Sequence, residues 1–248
     1  MNIRRIISVV IKYFGVKKYL IKRSRKKASM KLQTVGEEAL SAYYDVAKNL
    51  SINFSPMFGT LLGIYRDHNF ISYDDDIDMI LDIKSLSIDL LNELKNKGFE
   101  INKIYVASNY KGCQLPMKFK GLTCDIYFSY IDANSRSHVF LPLAIPGYNW
   151  SFSCDLNFFR IKDVVVPYNN TSMNWKFRNS QVEIPSNTEE ILTALYGDDF
   201  MTPKKNAHAD PFMRQIPLYE CNYRCFPIDF CLESKIWNGI ISAGRDFR

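Results

Sequence analysis

Four carboxylates fall within five consecutive positions, Asp74, Asp75, Asp76 and Asp78, and the run passes straight into Met79-Ile80-Leu81. Like charges this close repel unless a cation balances them. The apolar run that follows reads as a buried strand, so the acids stand at the edge of a core and not in a solvated tail. On an extended chain alternate side chains share a face. Asp74, Asp76 and Asp78 then point one way and Asp75 the other. Hard oxygen ligands in that pattern suit Mg²⁺ or Mn²⁺. A solvated acidic turn would explain Asp75, but not the alternation of the other three into a core strand.

A further carboxylate, Asp125, sits on the strand expected over 123–130, between Cys124 and Ile126. Neighbouring strands lie about 4.8 Å apart, so an adjacent strand brings Asp125 to the same ions. There it would bind metal and accept the proton of an attacking hydroxyl. Upstream, Gly59-Thr60 separates a short extended run from a brief helical segment. Glycine lets backbone approach a phosphate, and a helix start offers free N–H groups. Strand, Gly-Thr, helix, paired acids and a third acid on a later strand form the nucleotidyltransferase arrangement. In it, carboxylate-held metals neutralise phosphate charge and align an in-line attack. Asp76, Asp78 and Asp125 are the catalytic candidates, Asp74, Asp76, Asp78 and Asp125 the metal ligands, and Gly59, Thr60 and Arg66 the substrate-binding residues. Arg66 suits a phosphate, or equally an ion pair with the acids. Lys118 and Lys120 would touch donor phosphates or lie in solvent. Tyr65, Tyr73, Trp150 and Trp175 would stack on a ring or pack in the core.

Charge divides the chain. Eleven of its 32 Lys and Arg fall in residues 1–31, ahead of the first acid, Glu37. Residues 32–248 keep 21 basic against 26 acidic residues, a net of −5. The net +6 of the whole chain therefore describes an N-terminal attachment. A mildly acidic globular part argues against a nucleic-acid groove across the domain. Residues 1–30 interleave apolar and basic side chains, and the longest uncharged stretch, Ile6–Ile11, is far below the roughly 20 residues a membrane span needs. No signal-peptide pattern is present. The segment reads as a basic amphipathic helix on an anionic membrane surface, or else as a solvated helix packed on the domain. The expected location is the cytoplasm, peripheral on the inner face of the cell membrane. Six cysteines without a secretory signal read as free thiols. Cys221, Cys225 and Cys231 lack the usual paired zinc spacing and read as small buried hydrophobes.

The rest of the chain fits one α+β domain over 31–248, a mixed sheet with flanking helices. Helices are expected over 31–52, 84–97, from Ser186 or Asn187 through Leu195, and over 232–241. Strands are expected at 79–81, 99–107, 115–119, 123–130 and 164–166, with short strands and loops over 139–182. Residues 204–230 read as loop.

The motifs carry a resemblance to a known family. Gly59-Thr60-Leu61-Leu62-Gly63-Ile64-Tyr65-Arg66, then Phe70-Ile71, then Tyr73-Asp74-Asp75-Asp76-Ile77-Asp78 closely resembles the LicD/fukutin phosphotransferases, whose usual form is G-T-L-L-G-x-x-R followed by F-I-P-W-D-D-D-I-D. Cys124-Asp125-Ile126-Tyr127 is similar to that family's later D-I-F/Y strand. Tyr196-Gly197-Asp198-Asp199-Phe200-Met201-Thr202-Pro203 is similar to its closing Y-G-x-x-W/F-M-x-P segment. The match spans roughly 32–203. Ser72-Tyr73 replaces Pro-Trp, and residues 204–248 have no counterpart in the pattern. The resemblance implies a nucleotidyltransferase fold and transfer of a phospho-alcohol group, of phosphocholine, phosphoglycerol or phosphoribitol type. The donor would be CDP-activated and the acceptor a sugar hydroxyl of a cell-surface glycan: lipopolysaccharide, capsule or teichoic acid. With the basic segment, it points to a lipid-linked acceptor.

Two rival readings stand beside this one. A metal-dependent glycosyltransferase would use Asp76-Ile77-Asp78 as its D-x-D motif on a nucleotide-sugar, but Gly59-Thr60 before it and Asp125 after it favour the nucleotidyl fold. A non-catalytic glycan-binding relative has no reason to keep all the acids.

Overall fold

The computed structural model describes residues 16–145, 148, 150–203, 213–216 and 221–246. The first fifteen residues, half of the basic segment, lie outside them. The chain opens with a long helix, α1 (Val16–Leu50), that starts well before residue 31 and passes residues 30–31 without a break. Its apolar positions recur at helical spacing, and Leu32, Ala39, Leu40, Tyr43 and Val46 are buried. Before Ala28 the described side chains are all exposed, Tyr19 and Leu20 among them. Over residues 23–27, α1 turns no side chain into the core. None of the helices is long and apolar enough to cross a membrane, among the described residues.

A two-residue strand β1 (Ser55–Pro56) leads into α2 (Phe58–Leu62), which continues as a π-helical turn over Gly63–Asp67. Then come β2 (Asp76–Asp82), α3 (Ile88–Asn96), β3 (Phe99–Ile101), β4 (Lys103–Ala107), β5 (Cys113–Phe119), β6 (Leu122–Ile131) and β7 (Arg136–Leu143). They are followed by α4 (Trp150–Leu156), β8 (Arg160–Pro167), the hairpin β9 (Ser172–Phe177) and β10 (Ser180–Pro185), and α5 (Thr188–Tyr196). The chain closes with β11 (Met213–Ile216), β12 (Tyr223–Pro227), α6 (Ile228–Glu233) and α7 (Lys235–Arg245).

The expected α+β class holds. The large sheet is mixed and open, ordered β11-β8-β7-β6-β5-β4-β12, with β2 and β3 joining alongside β6 and β5. Among the described strands only β2 and β6 pair in parallel. The helix expected to end through Leu195 runs to Tyr196, and Gly197 closes it at φ +87°, a conformation open to glycine and costly to other residues. Several expectations change: the helix over 232–241 falls across two helices, α6 and α7, that part at Ser234, and α4 lies within 139–182. The segment 204–230, read as loop, holds β11, β12 and the start of α6. The strand 99–107 is two strands, broken at Asn102, whose carbonyl accepts the N–H of Ile228. Both pieces pair with β5, and β4 also takes β12 on its outer edge.

Alternation sorts the central sheet into two faces. Ile77, Met79, Leu81, Leu115, Met117, Phe119, Cys124, Ile126 and Phe128 are buried on one face. Against it α1 and α3 close the core: Tyr43 packs edge-on to Phe54 and beside Phe99, which in turn meets Phe119. Each such fully buried apolar side chain contributes about 1.5–3 kcal/mol. The other face carries Asp76, Asp78, Thr123, Asp125 and Lys118, with α2 and α5 packed together at its β2 side.

Candidate active site

The parallel β2–β6 ladder pairs Asp76 with Thr123 and Asp78 with Asp125. Residues paired across a ladder share a face, so the register itself brings Asp125 beside Asp78. Thr60 is buried, and its Oγ1 accepts the backbone N–H of Asp78 at 3.0 Å. It thus ties α2 to the strand that carries the acids. Phe58 reaches over the same face and meets Tyr127 edge-on at 5.6 Å.

Gly59 has a steric reason to be glycine. A Cβ there would fall 2.3 Å from Asp74 Oδ2, so the Asp74 carboxylate occupies the space above the Gly59 backbone. Asp74 closes a turn through its N–H to Ile71 O, and its Oδ1 accepts the N–H of Asp75. Regular strand begins only at Asp76. The strict alternation expected across Asp74–Asp78 therefore does not extend to Asp74 and Asp75. One oxygen each from Asp74, Asp75 and Asp76 lies within 4.8 Å of the others. Asp75, expected to point away, belongs to the group.

The electrostatics follow from crowding and burial. Burial lifts Asp74 to about 6, with the Asp75 charge adding to it against the hydrogen bond from the Asp75 N–H. Asp76 is pushed up first by burial and then by Asp74, Asp125 and Asp75, and Asp78 first by burial and then by Asp76, Asp125, Asp74 and Asp75. Burial also raises Asp125 to about 6, opposed by hydrogen bonds from Gln114 and Tyr127 and by the charges of Lys103 and Lys118. Gln114 Nε2 donates to Asp125 Oδ2 at 3.1 Å, and Tyr127 Oη donates to the same oxygen at 3.5 Å. Asp78 Oδ1 and Asp125 Oδ1 are buried without a hydrogen-bond partner. Buried polar atoms in folded proteins are normally satisfied. Asp78 and Asp125 stand outside the three-residue group, but their orphaned carboxylate oxygens beside its all-oxygen donors suit a hard divalent cation, so the residues present fit such an ion.

Arg66 stands on the α2 side of this group. Its Nε and Nη2 pair with the two oxygens of Asp67, and Nη1 reaches Phe200 O. Its ion pair is thus with Asp67. Beside it come Tyr73, 65% exposed at the rim, and Tyr196, whose hydroxyl is pushed up by burial and then by Asp78 and Asp74. Tyr65 and Trp175 stack on each other at 4.6 Å and serve packing. Trp150 is 44% exposed at the opposite end, against Phe159 and Tyr105. Lys120 pairs with Glu38 of α1, away from the acids, whereas Lys118 faces the site.

Sequence reasoning missed Gln114, Tyr127 and Lys103. A glutamine at a buried position inside an apolar strand was the available signal for the first. Tyr196 stood within the closing motif but had no role assigned. All six cysteines are free thiols, and among the described residues Cys221, Cys225 and Cys231 are in no candidate metal group.

No individual curated protein matches the chain. The family model for the LicD/FKTN/FKRP nucleotidyltransferase domain matches residues 51–187, which contain Gly59, Thr60, the aspartate cluster and Asp125. With more than half its length matched, the chain belongs to the LicD/FKTN/FKRP nucleotidyltransferase-domain family.

Proposed function

We propose that this protein is a metal-dependent phosphotransferase that moves a phospho-alcohol group from a CDP-activated donor onto a sugar hydroxyl of a cell-surface glycan. The observation that carries this reading is the in-register pair Asp78–Asp125, each with a buried, unpartnered carboxylate oxygen, near enough to Asp74, Asp75 and Asp76 that their charges raise Asp78. Family membership supports a transferase acting on glycans.

Asp74, Asp76, Asp78 and Asp125 would hold Mg²⁺ or Mn²⁺. A divalent ion there supplies charge neutralisation for the donor's diphosphate and a fixed frame for in-line displacement. The chain's own residues do the rest. Gly59 gives Asp74 its room, and Thr60 fixes the β2 backbone at Asp78. Asp125, oriented by Gln114 and Tyr127, takes the proton of the acceptor hydroxyl. The acceptor oxygen bonds to the phosphorus that carries the alcohol. The bond from that phosphorus to the bridging oxygen breaks, and CMP leaves with the electron pair. The products are CMP and a phosphodiester.

The test is incubation of the full chain with Mg²⁺ and CDP-choline, CDP-glycerol or CDP-ribitol, with and without glycan acceptors, scored by CMP release. Acceptor-dependent CMP from one donor supports the reading. Transfer of a sugar from a nucleotide-sugar, with none from any CDP-alcohol, would replace it with the glycosyltransferase alternative.

The acceptor in this proposal is lipid-linked, and the basic N-terminal segment holds the enzyme on an anionic membrane surface. Arg23, Arg25, Lys26 and Lys27 are exposed near the N-terminal end of α1. The full chain should co-sediment with anionic vesicles at low salt and release at high salt. Deletion of residues 1–28 should abolish that binding. Equal sedimentation of both chains would remove the membrane assignment.

A further inference from the structure

The acid-bearing face continues beyond Asp125. Asp125 pairs with Pro116 of β5, Thr123 with Lys118, and Tyr127 with Gln114, which pairs in turn with Tyr105 of β4. Lys103 lies two residues before Tyr105 on the same strand and so on the same face. Burial agrees: Leu115, Met117 and Phe119 are buried, while Lys103 and Lys118 are exposed. The row of acids is therefore bracketed. Gly59, Thr60 and Arg66 stand on its β2 side. Lys103 and Lys118 stand on its β4–β5 side, with Tyr105 and the exposed Trp150 beyond them, their ring centroids 6.1 Å apart.

These two lysines have no ion-pair partner among the described residues, although both charges act on Asp125. Among the described residues, Lys103 forms no ion pair; its ammonium lies 5.4 Å from the Tyr105 ring centroid. Lys118 donates to Thr123 Oγ1 at 3.0 Å. Glu100 is opposite Lys118 in the β3–β5 ladder, yet no salt bridge joins them. Both ammonium charges reach Asp125 and pull its carboxyl down against burial. The chemistry on this side is cationic, rimmed by aromatic rings, and adjacent to the group that takes the acceptor's proton.

We propose that Lys103 and Lys118 bind an anionic group, phosphate or carboxylate, on the substrate that supplies the hydroxyl, so that the acceptor is a negatively charged glycan. The proposal rests on the reading of Asp125 as the acceptor-side residue. In-line displacement puts the nucleophile opposite the leaving CMP; with the donor placed at the β2 side, as part of that same reading, the β4–β5 side is left for the acceptor. A neutral sugar there would leave both ammonium groups without an ion-pair partner. A phosphate or carboxylate next to the hydroxyl pairs them and is shielded by them from the nearby aspartates.

The experiment measures binding and turnover separately. Glycerol 3-phosphate and glucuronate, with glycerol and glucose as neutral counterparts, are titrated calorimetrically into the full chain with Mg²⁺. The wild type should bind at least one anion about tenfold or more tightly than its neutral counterpart, and added salt should weaken it. Comparing the two anions separates phosphate from carboxylate. The double variant K103Q/K118Q should lose the preference, and K103R/K118R should keep it. Binding that survives in Asp76→Asn shows that the anion is not held on a metal. Equal affinity for anions and neutral probes overturns the proposal. So does anion binding that persists in K103Q/K118Q but vanishes in Asp76→Asn. In the CMP-release assay, K103Q/K118Q should raise KM for a charged acceptor; a rise in donor KM alone would assign the lysines to the donor and also overturn it. Lysine-dependent anion binding with no CMP from any donor would remove the transferase reading while leaving the anion site in place.

Discussion

Two groups of carboxylates lie along β6, and they are in opposite states. At one, Asp125 inside the strand faces Asp78, with Asp74, Asp75 and Asp76 nearby, and no hydrogen bond or ion pair satisfies two of the buried oxygens. At the other, Asp132 just past the strand's end is fully engaged. It takes Arg136 Nε at 2.8 Å, the Arg136 and Asn134 backbone N–H groups, and His138 Nε2, while His138 Nδ1 meets Asp163 at 3.0 Å. Burial would raise Asp132, but hydrogen bonds from Arg136, His138 and Asn134 hold it below the usual carboxylate range. The same residue type in one sheet is thus pushed up where no cationic side chain pairs with it and pulled down where one does. Paired acids close a hairpin. Unpaired acids keep a place for a charge the chain does not supply.

The sharpest way to break this comparison is to neutralise one member of each group. Asp76→Asn or Asp78→Asn should drop CMP release by about 10³-fold or more, because an amide is a neutral and weaker ligand for a hard cation. The metal-free variant should melt at or above the wild type, since crowded like charges are relieved. Asp132→Asn should do the reverse, with a lower melting temperature and turnover retained. Matching outcomes in the two groups would mean that the pairing difference has no functional content.

Next in size is Asp125→Asn, expected to lower kcat by ~10²-fold with donor KM less affected, as for a proton acceptor. Rapid-quench and steady-state assays at saturating Mg²⁺ separate this from ligand loss. A large rise in donor KM at unchanged kcat would make Asp125 a binding residue instead.

How much of this was legible in the sequence depends on how far each group's members lie apart. Asp74–Asp78 and Gly59-Thr60 are local, and the step from acids into Met79-Ile80-Leu81 marks a strand entering a core. Asp125 was legible from its apolar flanks, although its alignment opposite Asp78 is a matter of register that no single segment encodes. Lys103, Gln114 and the Asp132–His138–Asp163 group were not legible, since their meeting depends on which strands neighbour β6. The same limit hid β12: its pairing with β4 is a long-range contact, and its short run of Tyr, Arg, Cys, Phe and Pro has no clean alternation.

Stability against pH contrasts the two groups with less effect on turnover. Asp74 and Asp125 titrate near 6 in the folded, metal-free chain, and Asp76 and Asp78 are raised as well. Raised acids bind protons more tightly when folded, so their contribution is present below the ordinary carboxylate range and lost as pH rises through the folded values. Without metal, the melting temperature should fall as pH climbs from about 5 to 8. Mg²⁺ at a hundred times its Kd should restore about 2.7 kcal/mol and flatten the trend. Asp132 has the opposite sign: its contribution is present above the ordinary range and lost only as pH falls below it. A metal-free melting temperature that rises between pH 5 and 8 would show that the unpaired acids do not control this window.

The smallest expected effect distinguishes Asp75 from Asp74 within the unpaired group. If strand alternation governed the whole run, Asp75 would face away and Asp75→Asn would pass unnoticed. The turn at Ile71–Asp74 breaks that alternation, and Asp75 brings an oxygen to the same 4.8 Å group as Asp74 and Asp76. It therefore adds charge to whatever the group holds, without a neighbour that depends on its shape. Asp74 does have one: its carboxylate fills the space over Gly59, and it closes the turn that launches β2. Asp75→Asn should shift the Mn²⁺ titration of activity by up to about tenfold, the scale of losing one electrostatic contributor to a metal site. Asp74→Asn should shift it further, and with Gly59→Ala, which puts a Cβ against that carboxylate, the two changes should be non-additive because both act on one contact. The readout is the Mn²⁺ concentration giving half-maximal CMP release in each variant and in the double. An Asp75→Asn titration that overlays the wild type would take Asp75 out of the group and return the segment to simple strand alternation.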